Sequence, residues 1–262
     1  MLIGHPPGRW SFPVRSSDTD AHSQLHLSAL FACMQEAAFL HLEQLDDLFG
    51  DFDALGLCWL LSRVSVRLDA LPVWPEAIVV ETRHRGLRRL TFVRDFTFRT
   101  SDGRLLGQAV SEWLVADQAD HRPQRPDPAW LFTRPAETDD LPACPRLPSS
   151  GWTFSGPVLV RRACFSDIDK NHHVNNTRYV AWATDAVQAA RQAGSRTILR
   201  LDVRAFDIHY QHEVSLGSEL AFFAAPEPGR PLYWRVEART EPQDEIVFRA
   251  GLLLAAANSE QL

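Results

Sequence analysis

Apolar residues recur along the chain with two alternating periods. Leu27, Phe31, Met34, Ala38, Leu42 and Leu45 are spaced three or four residues apart, which predicts an amphipathic helix. Tyr179, Val180, Trp182, Ala183, Ala186, Val187 and Ala190 cover most of a helical circumference, so a second helix should be buried on nearly all sides and stop near Gly194. Between and after these, the period drops to two. Val64, Val66 and Leu68 alternate with polar residues, as do Phe92, Phe96 and Phe98, and again Phe206, Ile208 and Tyr210. Ser101-Asp102-Gly103 reads as a hairpin turn, with Pro242-Gln243-Asp244 at the equivalent place later on. One helix followed by a run of antiparallel strands is an α+β unit rather than a βαβ alternation. A helix lying against a curled antiparallel sheet is the simplest way to bury both.

The pattern occurs twice. Ser17-Asp18-Thr19-Asp20 returns as Ser166-Asp167-Ile168-Asp169, and Glu36-Ala37 falls on Asp185-Ala186, both at an offset of 149. Val64-x-Val66 and Pro75-Glu76-Ala77-Ile78 fall on Phe206-x-Ile208 and Gly217-Ser218-Glu219-Leu220 at 142, and Arg99-Thr100 on Arg239-Thr240 at 140. Shorter loops in the second copy would shrink the offset in this way. The expected division is a first unit over residues 1–120, a connector over 121–157 and a second unit over 158–262. From Gln118 to Pro157 the chain holds eight of its 17 prolines, which predicts a semi-rigid connector, with Trp130, Leu131 and Phe132 packing part of it onto the units.

Composition excludes several classes. With 45% hydrophobic, 10% aromatic and 23% charged residues the chain suits a soluble globular protein. No apolar run is long enough to span a membrane, and the first residues, MLIGHPPGRWSFPVRSS, have neither a secretory core nor a transit helix, so a cytoplasmic location is expected. Cys33, Cys58, Cys144 and Cys164 form no metal-type spacing and are expected to be free, mostly buried thiols. The net charge of −6 argues against nucleic acid as a partner.

Chemistry concentrates in Ser166-Asp-Ile-Asp-Lys-Asn-His-His-Val-Asn-Asn-Thr-Arg-Tyr179, a polar run placed directly before the most apolar helix. Asp169, Asn171 and His173 alternate, so they can face one side. Asn175 or Asn176 can cap a helix beginning near Thr177, whose first amides would stabilise negative charge. In the first copy Asp20 persists, but His22 and Gln24 stand where Asn171 and His173 would be. That asymmetry predicts one site per chain. Asp167 is expected to be structural, since its counterpart Asp18 lies in the copy without the histidine. A metal site from His172, His173 and Asp169 lacks further ligands, and neither metal nor cofactor is expected.

The run Asp167-x-Asp169-x-Asn171-x-His173-Val174-Asn175-Asn176-x-x-Tyr179-x-x-Trp182 resembles the signature of acyl–acyl-carrier-protein thioesterases. Trp59-Leu-Leu-Ser-Arg63, Pro72-x-Trp74-Pro75, Arg94-Asp95-Phe96, Ser111-x-Trp113 and Tyr210-x-x-Glu213 are similar to further landmarks of that family. The resemblance implies a tandem (double) hotdog, each unit a long central helix wrapped by an antiparallel β-sheet. It implies hydrolysis of the thioester between a fatty acyl chain and the phosphopantetheine arm of acyl carrier protein, in fatty acid biosynthesis. Carried over by position, it implicates Asp169, Asn171, His173 and Glu213 in catalysis, with Asp169 fixing the imidazole tautomer and water attacking directly. Members often carry a cysteine after the glutamate; here that position is Val214, which excludes a thiol nucleophile there.

Asn175, Asn176, Trp59, Phe31 and Met34, with Leu61, are the expected substrate-binding residues. Arg83, Arg85, Arg88 and Arg89, read as a turn between two strands, are the expected contact with the acidic carrier protein. A monomer and a homodimer both fit two units in one chain. An acyl-CoA or aryl-CoA thioesterase of the same fold is the nearest alternative, and a non-catalytic sensor of acyl thioesters the next. A DNA-reading sensor would need an appendage that Ala255 to Leu262 does not provide, and a dehydratase fits the Asn171-x-His173 run less well.

Overall fold

The computed structural model describes residues 6–44, 52, 54–126, 142–192 and 198–256. Its strands are β1 (Gly8–Pro13), β2 (Leu57–Leu68), β3 (Ala77–Arg88), β4 (Thr91–Thr100), β5 (Leu105–Asp117), β6 (Leu159–Arg162), β7 (Val203–Tyr210), β8 (Glu219–Glu227), β9 (Arg230–Glu241) and β10 (Ile246–Leu254). The helices are α1 (Leu27–Glu43) and α2 (Asn176–Gln192). Leu45, Trp130, Leu131, Phe132 and Gly194, which carried part of the sequence reading, lie outside the described residues.

The strands form a single sheet in the order β1-β3-β4-β5-β2-β7-β10-β9-β8-β6, antiparallel throughout. Read from either end, the order is the same series of equivalent strands, so the second half repeats the first about a two-fold axis. The axis passes through the β2–β7 pairing, where Val64 lies opposite Ile208, Ser65 opposite Asp207 and Val66 opposite Phe206. Ser65 and Asp207, equivalent at the offset of 142, face each other, and Val64 and Val66 each face the equivalent of the other, as an antiparallel two-fold requires. The helices start and end 149 residues apart, and the bridge Thr19–Leu25 recurs as Ile168–Val174.

The helices pack against each other inside the curled sheet. One core spans both halves: Leu30, Phe31, Met34 and Ala37 of α1 and Val180, Trp182, Ala183 and Ala186 of α2 meet Val66, Phe98, Phe206, Ile208, Phe222 and Phe248. Phe31 stands edge-on to Phe206 at 5.6 Å, crossing from one half to the other. A smaller aromatic cluster in the first half joins Phe92 and Val115 to Trp59, Trp113, Phe52 and Leu87. The described end of the connector lies on the opposite face. Cys144 is buried against Val93 and Val110, and Trp152 and Phe154 cover the guanidinium of Arg235.

The segment Arg83 to Arg88 corrects the sequence reading. It is strand β3 rather than a turn, and the reversal falls at Arg89 and Leu90. Arg83 and Arg85 are both paired with Asp95 of β4, and a bulge between His84 and Gly86 leaves Arg85 out of the ladder while Gly86 stays opposite Val93. The cluster of arginines and a glycine looked like a loop because the compensating carboxylate sits on the neighbouring strand. The expectation of mostly buried thiols also holds only in part. All four cysteines are free, but Cys33 and Cys58 are half-buried and Cys164 is exposed.

Candidate active site

The polar run folds into two tight turns that repeat the first copy atom for atom where the residues agree. Asp169 N–H donates to the His173 carbonyl at 2.9 Å, as Asp20 N–H does to the Gln24 carbonyl at 2.8 Å. Asp169 Oδ1 accepts the Asn171 amide at 2.8 Å, as Asp20 Oδ1 accepts that of His22. His172 and Ser23 both adopt left-handed backbone, with φ of 66° and 63°. Upstream, the buried Asp167 accepts the Cys164 amide at 2.9 Å and pairs with Arg178 at 2.7 Å, which fits the structural role expected of it. The scaffold of the loop is therefore common to both halves, and the side chains at its tip differ.

The residue before α2 is what the second copy adds. Asn175 Oδ1 accepts the Thr177 amide at 3.0 Å and the Thr177 hydroxyl at 2.7 Å, a helix N-cap, whereas His26 at the start of α1 makes no side-chain cap. Asn175 Nδ2 reaches Asp169 Oδ2 at 3.3 Å and Gln35 Oε1 at 3.5 Å. The cap thus ties the loop to α2 and to α1. Its side chain is spent within the fold rather than facing outward.

His173 and Glu213 come together. His173 Nε2 lies 3.3 Å from Glu213 Oε2, across the gap between the loop and the segment following β7. The adjacent backbone fixes the approach, since Val174 N–H donates to the Val214 carbonyl at 2.9 Å and the Val214 side chain is buried. Glu213, rather than Asp169, contacts the imidazole, so the expected tautomer-fixing role of Asp169 is not what the geometry provides. Asp169 holds the loop instead. Asn171 is exposed, and its amide is the group bound to Asp169. Asn176 opens α2; its Oδ1 is buried without a donor among the described residues, while its carbonyl accepts from the Tyr210 hydroxyl at 3.2 Å.

Two residues that the sequence reading did not place at the site line it from the first half. His121 Nδ1 lies 2.7 Å from Glu213 Oε2, and its ring stands edge-on to that of His173 with centroids 4.9 Å apart. Cys58, at the start of β2, feels the Glu213 charge, and burial, Glu213 and Asp117 together push its thiol up. It is held in the protonated form, which is the wrong one for a nucleophile. Neither residue belongs to a motif, and 92 residues separate His121 from Glu213.

The expected substrate-binding residues separate into two groups. Phe31 and Met34 are buried in the shared core, while Trp59 belongs to the small aromatic cluster, 5.0 Å from Phe92. Leu61 packs on the shared core from its edge. Arg88 and Arg89 are exposed at the β3–β4 turn, and Arg83 and Arg85 are engaged with Asp95. Among the described residues the titratable groups gathered closely enough to hold a metal ion are His121, His173 and Glu213. The trio weighed and set aside on the sequence, His172, His173 and Asp169, is not among them.

Comparison with known proteins places these features in context. A family model described as the acyl-ACP thioesterase N-terminal domain matches residues 9–129, and one described as the acyl-ACP thioesterase C-terminal domain matches residues 158–259. An oleoyl-acyl carrier protein thioesterase from Arabidopsis thaliana is 24% identical over 74% of this chain and 58% of its own length. A dodecanoyl-[acyl-carrier-protein] hydrolase from Umbellularia californica is 27% identical over 68% of this chain and 50% of its own. The chain thus spans about half the length of the curated relatives it matches. Among solved structures, an acyl-ACP thioesterase from Bacteroides thetaiotaomicron superposes with a TM-score of 0.79 at 24% identity, covering 95% of this chain and 98% of that one. The 12:0-ACP thioesterase from Umbellularia californica gives 0.73 at 21% identity, over 94% and 93%. The fold is accordingly a double hotdog.

Proposed function

The chain belongs to the acyl-ACP thioesterase family, and from that premise we propose that it hydrolyses the thioester of fatty acyl-acyl carrier protein, releasing fatty acid and the free carrier thiol. The observation that carries the reading is the contact between His173 Nε2 and Glu213 Oε2 at 3.3 Å, in the half whose counterpart has Gln24 and Leu71 instead.

The chemistry needs a base, an oriented water and a place for charge. Glu213 Oε2 faces both imidazoles and Oε1 makes no bond among the described residues, so the carboxylate is open to a water on one side. The Glu213–His173 pair takes a proton as the water oxygen attacks the acyl carbon. The tetrahedral oxyanion is stabilised by the positive end of the α2 dipole and by the side-chain amide of the exposed Asn171. Its collapse breaks the carbon–sulfur bond, and the proton returns to the phosphopantetheine sulfur. Val214 in the position after Glu213 and a protonated Cys58 nearby favour attack by water over an acyl-cysteine intermediate.

The first half supplies apolar surface for the acyl chain, and the exposed Arg88 and Arg89 offer positive charge to an acidic carrier. A cytoplasmic setting suits the four free thiols. No helix among the described residues is long and apolar enough to cross a membrane. Steady-state hydrolysis of matched acyl-carrier-protein and acyl-CoA substrates over a range of chain lengths tests the proposal. His173→Ala and Glu213→Ala should each lower kcat by about 10²–10⁴-fold. Full activity in either variant removes that residue from the mechanism, and equal turnover of both thioesters removes the carrier specificity.

A further inference from the structure

We propose that His121, supplied by the first half, is a positioning residue that fixes the Glu213 carboxylate for the reaction catalysed in the second half. The inference rests on the catalytic reading of Glu213 given above.

Glu213 has a long side chain at the surface, 37% exposed, and a free glutamate of this kind gives up rotamer freedom when held in one place. Something must hold it if it is to face His173 at 3.3 Å. His121 is that group. Its Nδ1 donates to Glu213 Oε2 at 2.7 Å, shorter than the contact from His173 to the same oxygen. Two imidazoles on one oxygen fix the plane of the carboxylate and leave Oε1 for water.

The turn that presents His121 is itself tightly closed. Asp117 Oδ1 accepts the amides of Ala119 and Asp120 at 2.8 and 3.3 Å, and the His121 amide donates to the Asp117 carbonyl at 2.9 Å. Asp120 Oδ1 accepts the Arg122 amide at 3.0 Å, and the Arg122 carbonyl accepts that of Asp117 at the same distance. The Gln118 amide is bonded to the Gly56 carbonyl, anchoring the turn to the one that leads into β2. His121 occupies left-handed backbone, φ 53°, which histidine tolerates better than most residues but less well than glycine or asparagine. The turn alone gives no reason for an imidazole there; the bond to Glu213 does.

The role predicts a particular pattern of kinetics. His121→Ala should lower kcat for acyl-carrier protein by about 10- to 100-fold, the size expected when a reacting group is misplaced by roughly 1 Å, with KM within about threefold of wild type. His121→Asn keeps a donor near the position of Nδ1 and suits the left-handed backbone, so it should recover most of the loss. In a Glu213→Gln background, His121→Ala should cost little further, because the group it positions has already been changed. Wild-type kcat in His121→Ala, no recovery in His121→Asn, or a full additional loss in the Glu213→Gln background would each overturn the inference. The three ligand atoms also lie within 4.8 Å of one another, so wild-type activity is measured after EDTA dialysis; a loss reversed by zinc would overturn positioning in favour of a metal site. Full activity of Glu213→Gln alone would instead remove the catalytic reading of Glu213 on which this one stands.

Discussion

A buried arginine with no carboxylate partner among the described residues dominates its surroundings in the first half. Arg94 of β4 donates to His41 Nδ1 at 2.9 Å and Thr82 Oγ1 at 3.3 Å, and burial pulls it down to about 10. Burial, with the Arg94 charge behind it, pushes His84 down to about 3, so this imidazole is neutral in the folded protein. In the unfolded chain it takes a proton near 6.5. As pH falls below 6.5 the unfolded state gains a proton that the folded state refuses, so stability is lost steadily until about pH 3 and is complete above 6.5. The slope from this one group is at most about 1.4 kcal/mol per pH unit. His84→Leu should therefore unfold in urea with a shallower pH dependence than wild type between pH 6.5 and 4; parallel curves would contradict the assignment. Legibility at this scale was uneven. His173 stood out because it alternates with Asp169 and Asn171 in a polar run with a mutated duplicate, and Glu213 came only through family resemblance. His121 and Cys58 were invisible, because strand pairing rather than local spacing brings them to the site.

Among the elements, the start of α2 differs most from its duplicate, although the two helices have the same length. Asn175 closes the first turn with two bonds to Thr177 and reaches back to Asp169, whereas His26 offers α1 nothing comparable. Asn175→Ala should cost about 1 kcal/mol of stability through the lost cap, read as a lower urea midpoint at unchanged slope. It should also lower kcat, since Asp169 loses a tie that holds the loop. A variant with unchanged midpoint would show that the cap is dispensable. The helices were readable to within a residue or two from their apolar spacing and from the asparagines before α2. Strand β3 was not, because Gly86 and the arginines around it carry loop composition. The carboxylate that lets them stay in a strand, Asp95, sits on β4 and is recognisable only once the two strands pair.

On the scale of the molecule, the two halves were legible as a repeat, but their union was not, because a repeat does not specify which edges meet. They meet at β2 and β7, over five residue pairs centred on Ser65 and Asp207. Asp207 is 8% exposed there and takes a bidentate pair from Arg67, Nη1 to Oδ1 at 2.9 Å and Nη2 to Oδ2 at 3.1 Å. The same junction carries the shared core beneath it, where Phe31 of one half meets Phe206 of the other. A junction made of continuous ladder, ion pair and core should leave neither half able to unfold alone. Arg67→Met keeps the side chain's apolar stem and strands the Asp207 carboxylate, which should cost about 1–3 kcal/mol, less than for a fully buried pair because half of Arg67 already faces water. The expected result is one calorimetric transition moved to lower temperature, with tryptophan fluorescence and far-ultraviolet dichroism still melting together. Two resolved transitions, in the wild type or the variant, would mean that the halves are separate folding units joined by pairing too weak to couple them. A site assembled from His121 of one half and Glu213 of the other would then depend on a docking equilibrium rather than on the fold itself.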